Sequence, residues 1–228
     1  MDIATQIQQE ANPQRAEHSQ RFFKTGKGQY GEGDVFLGLT VPQQRAIAKR
    51  NLAAKPEEIK TLLYSEIHEF RLVALFILTY QYEKYPERRE EIVAFYLAHK
   101  EQVNNWDLVD STAYKILGHY LFDKERAVLY SFIEHPNLWV NRIAIVSTLY
   151  FIKKDDFEDA KKIILSSLGH PHDLIHKANG WMLREMGKRS EQVLCDFLDK
   201  HTKKMPRTTL RYAIERLDAV KKKHYMTL

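Results

Sequence analysis

A tryptophan and an aspartate lie one helical turn apart in the segment Asn104 to Asp110, which reads NNWDLVD. Because positions i and i+4 of a helix share one side, Trp106 and Asp110 are expected to project together. An aromatic face attracts a cation and an ionised carboxylate balances its charge, so the pair suits a positively charged ligand. A tryptophan near a helix start is more often a packing residue, and an early aspartate such as Asp107 often complements the helix dipole. Asp110 fits that structural role poorly because it lies beyond the first turn.

The elements that position this pair are helices arranged in repeats. Helical periodicity recurs almost throughout, while strand-like alternation is nearly absent, so we expect an all-α protein. From about Thr40 the predicted helices come in pairs, and their second helices align at residues 71, 107, 142, 177 and 211, spaced 36, 35, 35 and 34 residues apart. This period predicts an α-solenoid of about six helix pairs, forming one domain over residues 1–228.

Two short helices are expected before the repeats, over Ile3 to Ala11 and Pro13 to Lys24. A loop over Thr25 to Gly38 follows and holds five of the nine glycines. It contains a literal GxGxxG match over residues 26–31. A dinucleotide site needs this motif between a strand and a helix, and here more loop follows, so we expect no cofactor.

The five aligned positions are here called the anchors. Four of them are basic: Arg71, Arg142, Lys177 and Arg211. Equivalent helices line the concave side of a curved solenoid, so a positive stripe is predicted there. Residues 201–228 add a local net charge of +6 to the C-terminal end. Charges at a recurrent helix position can be a solvated face, but a stripe in register beside a basic end favours contacts with DNA phosphates.

Asp110 breaks the repeat pattern, because the position three residues after the anchor is small or apolar in the other repeats: Ala74, Ile145, Gly180 and Ile214. Trp106 lies one residue before its anchor, and Trp181 lies four residues after a later anchor. At roughly 100° per residue these positions span about 140° around the anchor. Both tryptophans, Asp110 and Arg142 are therefore predicted to face one cleft.

His172 and His176 resemble half of a zinc-binding helix, but Asp173 stands where that motif has its glutamate and no third ligand is placed by spacing. We therefore expect no metal. The single cysteine, Cys195, excludes an internal disulfide and favours a reducing compartment. The chain also lacks a signal peptide and an apolar run of roughly 20 residues, so we expect a cytoplasmic protein without a membrane segment. As a separate expectation, the protein is a monomer.

Four motifs in combination resemble the DNA alkylation repair proteins of the AlkD type: Trp-Asp-x-Val-Asp at 106–110, Trp-x-x-Arg at 139–142, Gly-Trp-x-Leu-Arg-Glu at 180–185 and Gly-x-Gly-Asp-x-Phe-Leu-Gly at 31–38. The resemblance covers nearly the whole chain. It implies HEAT-like repeats and a monofunctional DNA glycosylase that excises cationic purines, such as 3-methyladenine and 7-methylguanine, from double-stranded DNA without a metal or cofactor. It further implies that Trp106, Asp110 and Trp181 form the catalytic cleft and that Arg142 contacts phosphate. Phe22 stands where related proteins carry a tyrosine near the DNA.

The chemistry of the residues agrees with this implication. Alkylation at N3 or N7 makes the purine a good leaving group, so one carboxylate can suffice to stabilise the positive sugar and orient a water molecule. Asp110 is the candidate for that role. Two alternatives remain open. A non-catalytic protein that binds DNA structures would keep the basic stripe without needing Asp110, and a protein-binding scaffold would have an apolar or mixed concave face.

Overall fold

The computed structural model describes residues 1–228, and all of its regular secondary structure is helical, which confirms the all-α prediction. The chain divides into two compact units, Met1–Leu108 and Val109–Leu228, here called the N-terminal and C-terminal units. The expectation of one domain over the whole chain stays a prediction. No helix is both long and apolar enough to traverse a lipid bilayer.

The N-terminal unit contains helices α1 (Ile3–Gln9), α2 (Pro13–Phe22), α3 (Val41–Arg50), α4 (Pro56–Leu63), α5 (His68–Lys84) and α6 (Arg89–Ala98). Helix α2 begins where expected, because the Asn12 side chain accepts a hydrogen bond from the N–H of Arg15 and Pro13 opens the first turn. Helix α5 packs against α3 and α4 and is buried along most of its length. It is the central helix of this unit.

The glycine-rich loop after α2 folds onto the start of α5. The buried carboxylate of Glu69 accepts hydrogen bonds from three consecutive backbone N–H groups, those of Leu37 at 3.0 Å, Gly38 at 2.7 Å and Leu39 at 3.2 Å. An isolated parallel bridge pairs Val35 with Ile67. Gly38 has a φ of +83°, and a Cβ there would lie 2.3 Å from the carbonyl oxygen of Asn12, so the position requires glycine. The loop is thus tied to both α2 and α5.

Helix α7 (Trp106–Ala113) begins in the N-terminal unit and ends in the C-terminal unit. A π-helical turn over Tyr114–Gly118 follows it directly and leads into α8 (His119–Leu121). The sequence pattern did not indicate this wider turn. Such π-turns within helices often occur at functional sites.

The remaining helices of the C-terminal unit are α9 (Ala127–Ile133), α10 (Leu138–Ile152), α11 (Glu158–Ser167), α12 (Asp173–Arg189), α13 (Glu191–His201), α14 (Arg207–Ala213) and α15 (Ala219–Thr227). Helix α12 packs between α10 and α14, while α9 and α11 pack on α10 and α13 packs on α12. Each long helix therefore contacts its own partner and the next long helix. This is the neighbour packing that the period of about 35 residues predicts, and it is consistent with a helical repeat solenoid.

Candidate active site

Asp110 and Arg142 form a two-point ion pair in the C-terminal unit. The Nε of Arg142 donates to Oδ1 of Asp110 at 2.9 Å, and Nη2 donates to Oδ2 at 2.8 Å. The third guanidinium nitrogen, Nη1, donates to the carbonyl oxygen of Leu174. Arg142 is 5% exposed, whereas the Asp110 side chain is 20% exposed. The carboxylate is therefore fixed in orientation from the protein side and partly open to solvent.

Arg142 was expected to contact phosphate, but its guanidinium is buried and directed at two acceptors within the protein. Bidentate arginine–carboxylate pairs restrict both distance and orientation. Arg142 therefore acts directly on Asp110, by orienting its carboxylate. The sequence identified both residues and placed them on one cleft, but it did not indicate that they bind each other.

Trp106 is the first residue of helix α7. Its ring packs against Phe22, the last residue of α2, and against Phe23, which follows that helix. The Phe23 ring stacks nearly parallel to the indole, with centroids 5.2 Å apart and 13° between planes. The Phe22 ring meets the indole edge-on at 5.9 Å and is itself 58% exposed. One face of Trp106 is therefore supported by Phe23, a contact that the sequence pattern did not indicate.

A buried charged cluster lies at the starts of α5 and α7 in the N-terminal unit. Arg71 is 2% exposed, and it donates from Nη2 to Oδ1 of Asp34 at 2.6 Å and from Nη1 to the carbonyl oxygen of Ser65 at 2.8 Å. Asn105 donates to Oδ2 of the same carboxylate at 3.0 Å. Arg71 was expected on the DNA-binding stripe, but its guanidinium lies inside this cluster.

His68 bridges two carboxylates of the cluster. Its Nδ1 lies 3.1 Å from Oδ2 of Asp34, and its Nε2 lies 2.8 Å from Oδ2 of Asp107. Burial lowers the pKa of His68, but the charge and hydrogen bond of Asp107 and the hydrogen bond to Asp34 outweigh burial and raise it to about 9. Burial raises the pKa of Asp34, but the hydrogen bond from His68 and the charge of Arg71 hold it below its usual value. No sequence pattern indicated this bridge.

Trp181 lies on α12, where its Nε1 donates to Oε1 of Glu185 at 3.1 Å. The preceding residue, Gly180, lies at a close approach between α12 and α14. A Cβ at Gly180 would lie 2.4 Å from the Cβ of Tyr212 and 2.6 Å from the carbonyl oxygen of Thr209. The glycine therefore permits the close packing of α12 on α14 beside Trp181.

The other two basic anchors lie nearer the surface. Lys177 is partly exposed, and its Nζ lies 2.9 Å from Oδ2 of Asp173 one turn earlier. Arg211 is exposed. In the basic C-terminal end, Lys203 and Lys204 are exposed, whereas Lys221 pairs with Glu191 and Asp218. The stripe is therefore uneven, with two of its four basic anchors buried and two accessible.

The histidines at the start of α12 make hydrogen bonds with the backbone. His172 caps the helix by accepting the N–H of Leu174 at 3.1 Å. His170 accepts the N–H of His172 at 3.1 Å, and His176 Nε2 lies 2.6 Å from the carbonyl oxygen of His170. Burial lowers the pKa of both His170 and His172. No three His, Cys, Asp or Glu side chains are grouped so that they could hold a metal ion.

Comparison with known proteins places the chain in a family. The sequence model of the family described as "DNA alkylation repair enzyme" matches residues 3–217. A solved structure described as a "Predicted DNA alkylation repair enzyme from Enterococcus faecalis" superposes with a TM-score of 0.72 at 22% identity, covering 92% of this chain and 98% of that chain. At this identity the likeness shows a common fold. No curated protein matches the chain. Because the family model spans most of its length, the chain belongs to the DNA alkylation repair enzyme family.

Proposed function

We propose that the protein is a monofunctional DNA glycosylase that removes positively charged alkylated purines, such as 3-methyladenine and 7-methylguanine, from double-stranded DNA during base excision repair. The observation that supports this proposal most directly is the environment of the Asp110 carboxylate. Arg142 donates hydrogen bonds to both oxygens of this carboxylate, yet the carboxylate remains partly open to solvent. It also follows Trp106 by four residues on α7, and this i, i+4 spacing favours projection of an aromatic ring and a carboxylate from the same side of a helix.

The reaction needs little chemistry from the protein. When the C1′–N bond of a cationic purine breaks, the electron pair leaves with the base, which becomes neutral, and positive charge builds on the deoxyribose. A water molecule then adds to C1′ and releases a proton to the solvent. A carboxylate beside the sugar stabilises that positive charge and orients the water, and a single one suffices because the leaving group is already activated.

The pairing with Arg142 contributes preorganisation. A carboxylate that is fixed before the substrate arrives need not reorient as charge develops in the transition state. We assign Arg142 to this positioning role. The family resemblance assigns both Trp106 and Trp181 to contacts with the sugar or the cationic base, each with a cation–π attraction of about 0.5–2 kcal/mol.

DNA backbone contacts are assigned to the accessible cations. Arg211 is exposed, as are Lys203 and Lys204, and Lys177 is partly exposed. Cations at the surface bind phosphates without reading base sequence, so they supply affinity that depends strongly on salt. Arg71 instead balances the Asp34 carboxylate inside the protein. Its contribution to DNA binding is therefore indirect.

The test is release of free base from duplex DNA that carries one 7-methylguanine. With enzyme in excess over DNA, we expect base release well above spontaneous depurination and an abasic product with an intact strand. A parallel duplex with unmodified guanine at that position should release no base. Binding to the lesion duplex without release would instead support a non-catalytic protein that binds DNA structures.

A further inference from the structure

His68 is the only link in the charged cluster that joins two carboxylates through one side chain, with a ring nitrogen directed at each of them. A carboxylate accepts hydrogen bonds, so both ring nitrogens must donate, and only the imidazolium form has two N–H donors. The ring is 2% exposed. With both carboxylates ionised, this geometry fits a buried cation between Asp34 and Asp107.

The cluster is balanced in charge. His68 and Arg71 supply two positive charges, and Asp34 and Asp107 supply two negative charges. Buried charges are tolerated when they are paired and hydrogen-bonded, and removal of one partner leaves the others uncompensated. Loss of the His68 charge would therefore disturb every member of the cluster.

Two routes connect His68 to Trp106. Along the backbone, Asp107 directly follows Trp106, and Asn105, which donates to Asp34, directly precedes it. Through the rings, His68 packs on Phe23 with centroids 4.9 Å apart, and Phe23 stacks on Trp106 at 5.2 Å. The His68 ring also stacks on Phe36 at 4.5 Å, which fixes its own plane.

We propose that His68 is a positioning residue, an imidazolium held between Asp34 and Asp107 that fixes the start of helix α7 and the plane of the Trp106 ring. It contacts no substrate in this scheme. It acts through Asp107 and Phe23 on the aromatic residue that faces the lesion. The consequence for catalysis rests on the proposed glycosylase function, whereas the consequence for Trp106 does not.

The first experiment measures the Trp106 environment directly. With Trp139→Phe and Trp181→Phe, Trp106 is the remaining tryptophan of the chain, and its emission can be followed from pH 6 to pH 10.5. The His68 ring should lose its proton as the pH rises through its pKa of about 9, and the emission should change over that range. The same protein with His68→Gln should show an altered emission at pH 7 and no transition near pH 9. Emission that is unchanged by the substitution and follows the same pH curve would overturn the proposal.

A matched control separates positioning from loss of stability. Ile59→Ala removes a buried side chain from α4 of the same unit, outside the charged cluster. It should lower the melting temperature while leaving the Trp106 emission of the folded protein and its pH transition intact. Asp107→Asn keeps an acceptor for Nε2 of His68 but removes one charge, and it should shift the transition to lower pH.

The second experiment measures base release by the protein that retains all three tryptophans. His68→Gln should slow single-turnover release on the order of tenfold, since a misplaced contact group costs rate even when it is distant from the bond that breaks. Ile59→Ala should release base at the wild-type rate below its melting temperature. If His68→Gln released base at the wild-type rate, the proposed effect of His68 on catalysis would be wrong. A pH transition in Trp106 with no base release from the wild-type protein would overturn the glycosylase proposal but support the positioning of Trp106.

Discussion

The guanidinium of Arg142 and the carboxylate of Asp110 meet through two parallel hydrogen bonds of 2.9 and 2.8 Å. The two residues lie on helices α10 and α7, so each side chain limits the rotation of the other. Lysine can match the charge of arginine but not its planar pair of donors. The pair therefore separates two contributions, charge and orientation, that can be measured one at a time.

Arg142→Lys should slow base release on the order of tenfold, because the charge remains while the second hydrogen bond is removed. Affinity for lesion DNA should change little, since the Arg142 guanidinium is buried. Single-turnover release and equilibrium binding test the two expectations. Arg189→Lys is the matched control, because Arg189 makes the same two-point contact with Asp155, both bonds 2.7 Å long, on the exposed surface. If Arg142→Lys instead weakened binding and flattened its salt dependence, Arg142 would be a phosphate contact.

Gly180→Ala should destabilise the C-terminal unit, because the added methyl group would meet Tyr212 and the Thr209 backbone at under 3 Å. Overpacking of this kind costs about 1–3 kcal/mol of the free energy of unfolding. Gly169→Ala is the control, since a Cβ there meets no atom within 4 Å. Thermal melting of both variants tests the difference. Equal melting temperatures would show that α12 and α14 can separate without loss of stability.

The sequence predicted the helical repeats well because their signal is local and repeated. Apolar spacing marks each helix, and the period of about 35 residues marks each pair. The sequence predicted less well where the side chains of the basic anchors point. Arg71 and Arg142 occupy equivalent repeat positions to Arg211, yet each bends toward a carboxylate more than 30 residues earlier in the chain. A side chain's direction depends on which acceptor its neighbours bring within reach, and spacing along one helix does not contain that information.

The pH dependence of stability should carry the signature of His68. Its pKa is raised on folding from an ordinary value near 6.5 to about 9. The stabilisation from its charge is therefore fully present below pH 6.5, declines as the pH rises and is lost above about pH 9. Urea unfolding of the wild type and of His68→Gln should thus differ more at pH 6.5 than at pH 10. A difference that stays constant over this range would mean that His68 does not change its charge on the folded protein.

Asp34 should act at the opposite end of the pH scale. Its pKa is lowered in the folded protein, so its contribution to stability is present above its ordinary value of 3.8 and is lost as the pH falls through the folded value. Asp34→Asn should therefore be less stable than wild type at pH 6, and the gap should narrow as the solution is acidified below pH 4. Urea midpoints over this range supply the measurement. If the difference in urea midpoint between wild type and Asp34→Asn widened below pH 4, the pKa of Asp34 would not be lowered in the folded protein.

DNA affinity should follow the exposed cations. Replacement of Arg211, Lys203 or Lys204 by alanine, one at a time, should weaken binding to any duplex, and the slope of log affinity against log salt should fall by about 0.9 for each phosphate that the protein no longer neutralises. Lys221→Ala is the comparison within the same basic end, because the Lys221 ammonium already pairs with Glu191 and Asp218. It should have a smaller effect on binding. Equal effects from the paired and the exposed lysines would mean that net charge alone governs affinity.

Asp110→Asn tests the central claim most directly, because it keeps the shape of the side chain and removes its negative charge. If Asp110 acts on charge that develops only in the transition state, the substitution should affect chemistry and spare binding. Asp123→Asn, at an exposed position of the same unit, is the control. The measurement is single-turnover release of 7-methylguanine beside equilibrium binding of the same duplex. We predict a loss in rate on the order of 10² to 10³, with unchanged or slightly tighter binding and a wild-type rate for the control. Full activity in Asp110→Asn would contradict the catalytic assignment.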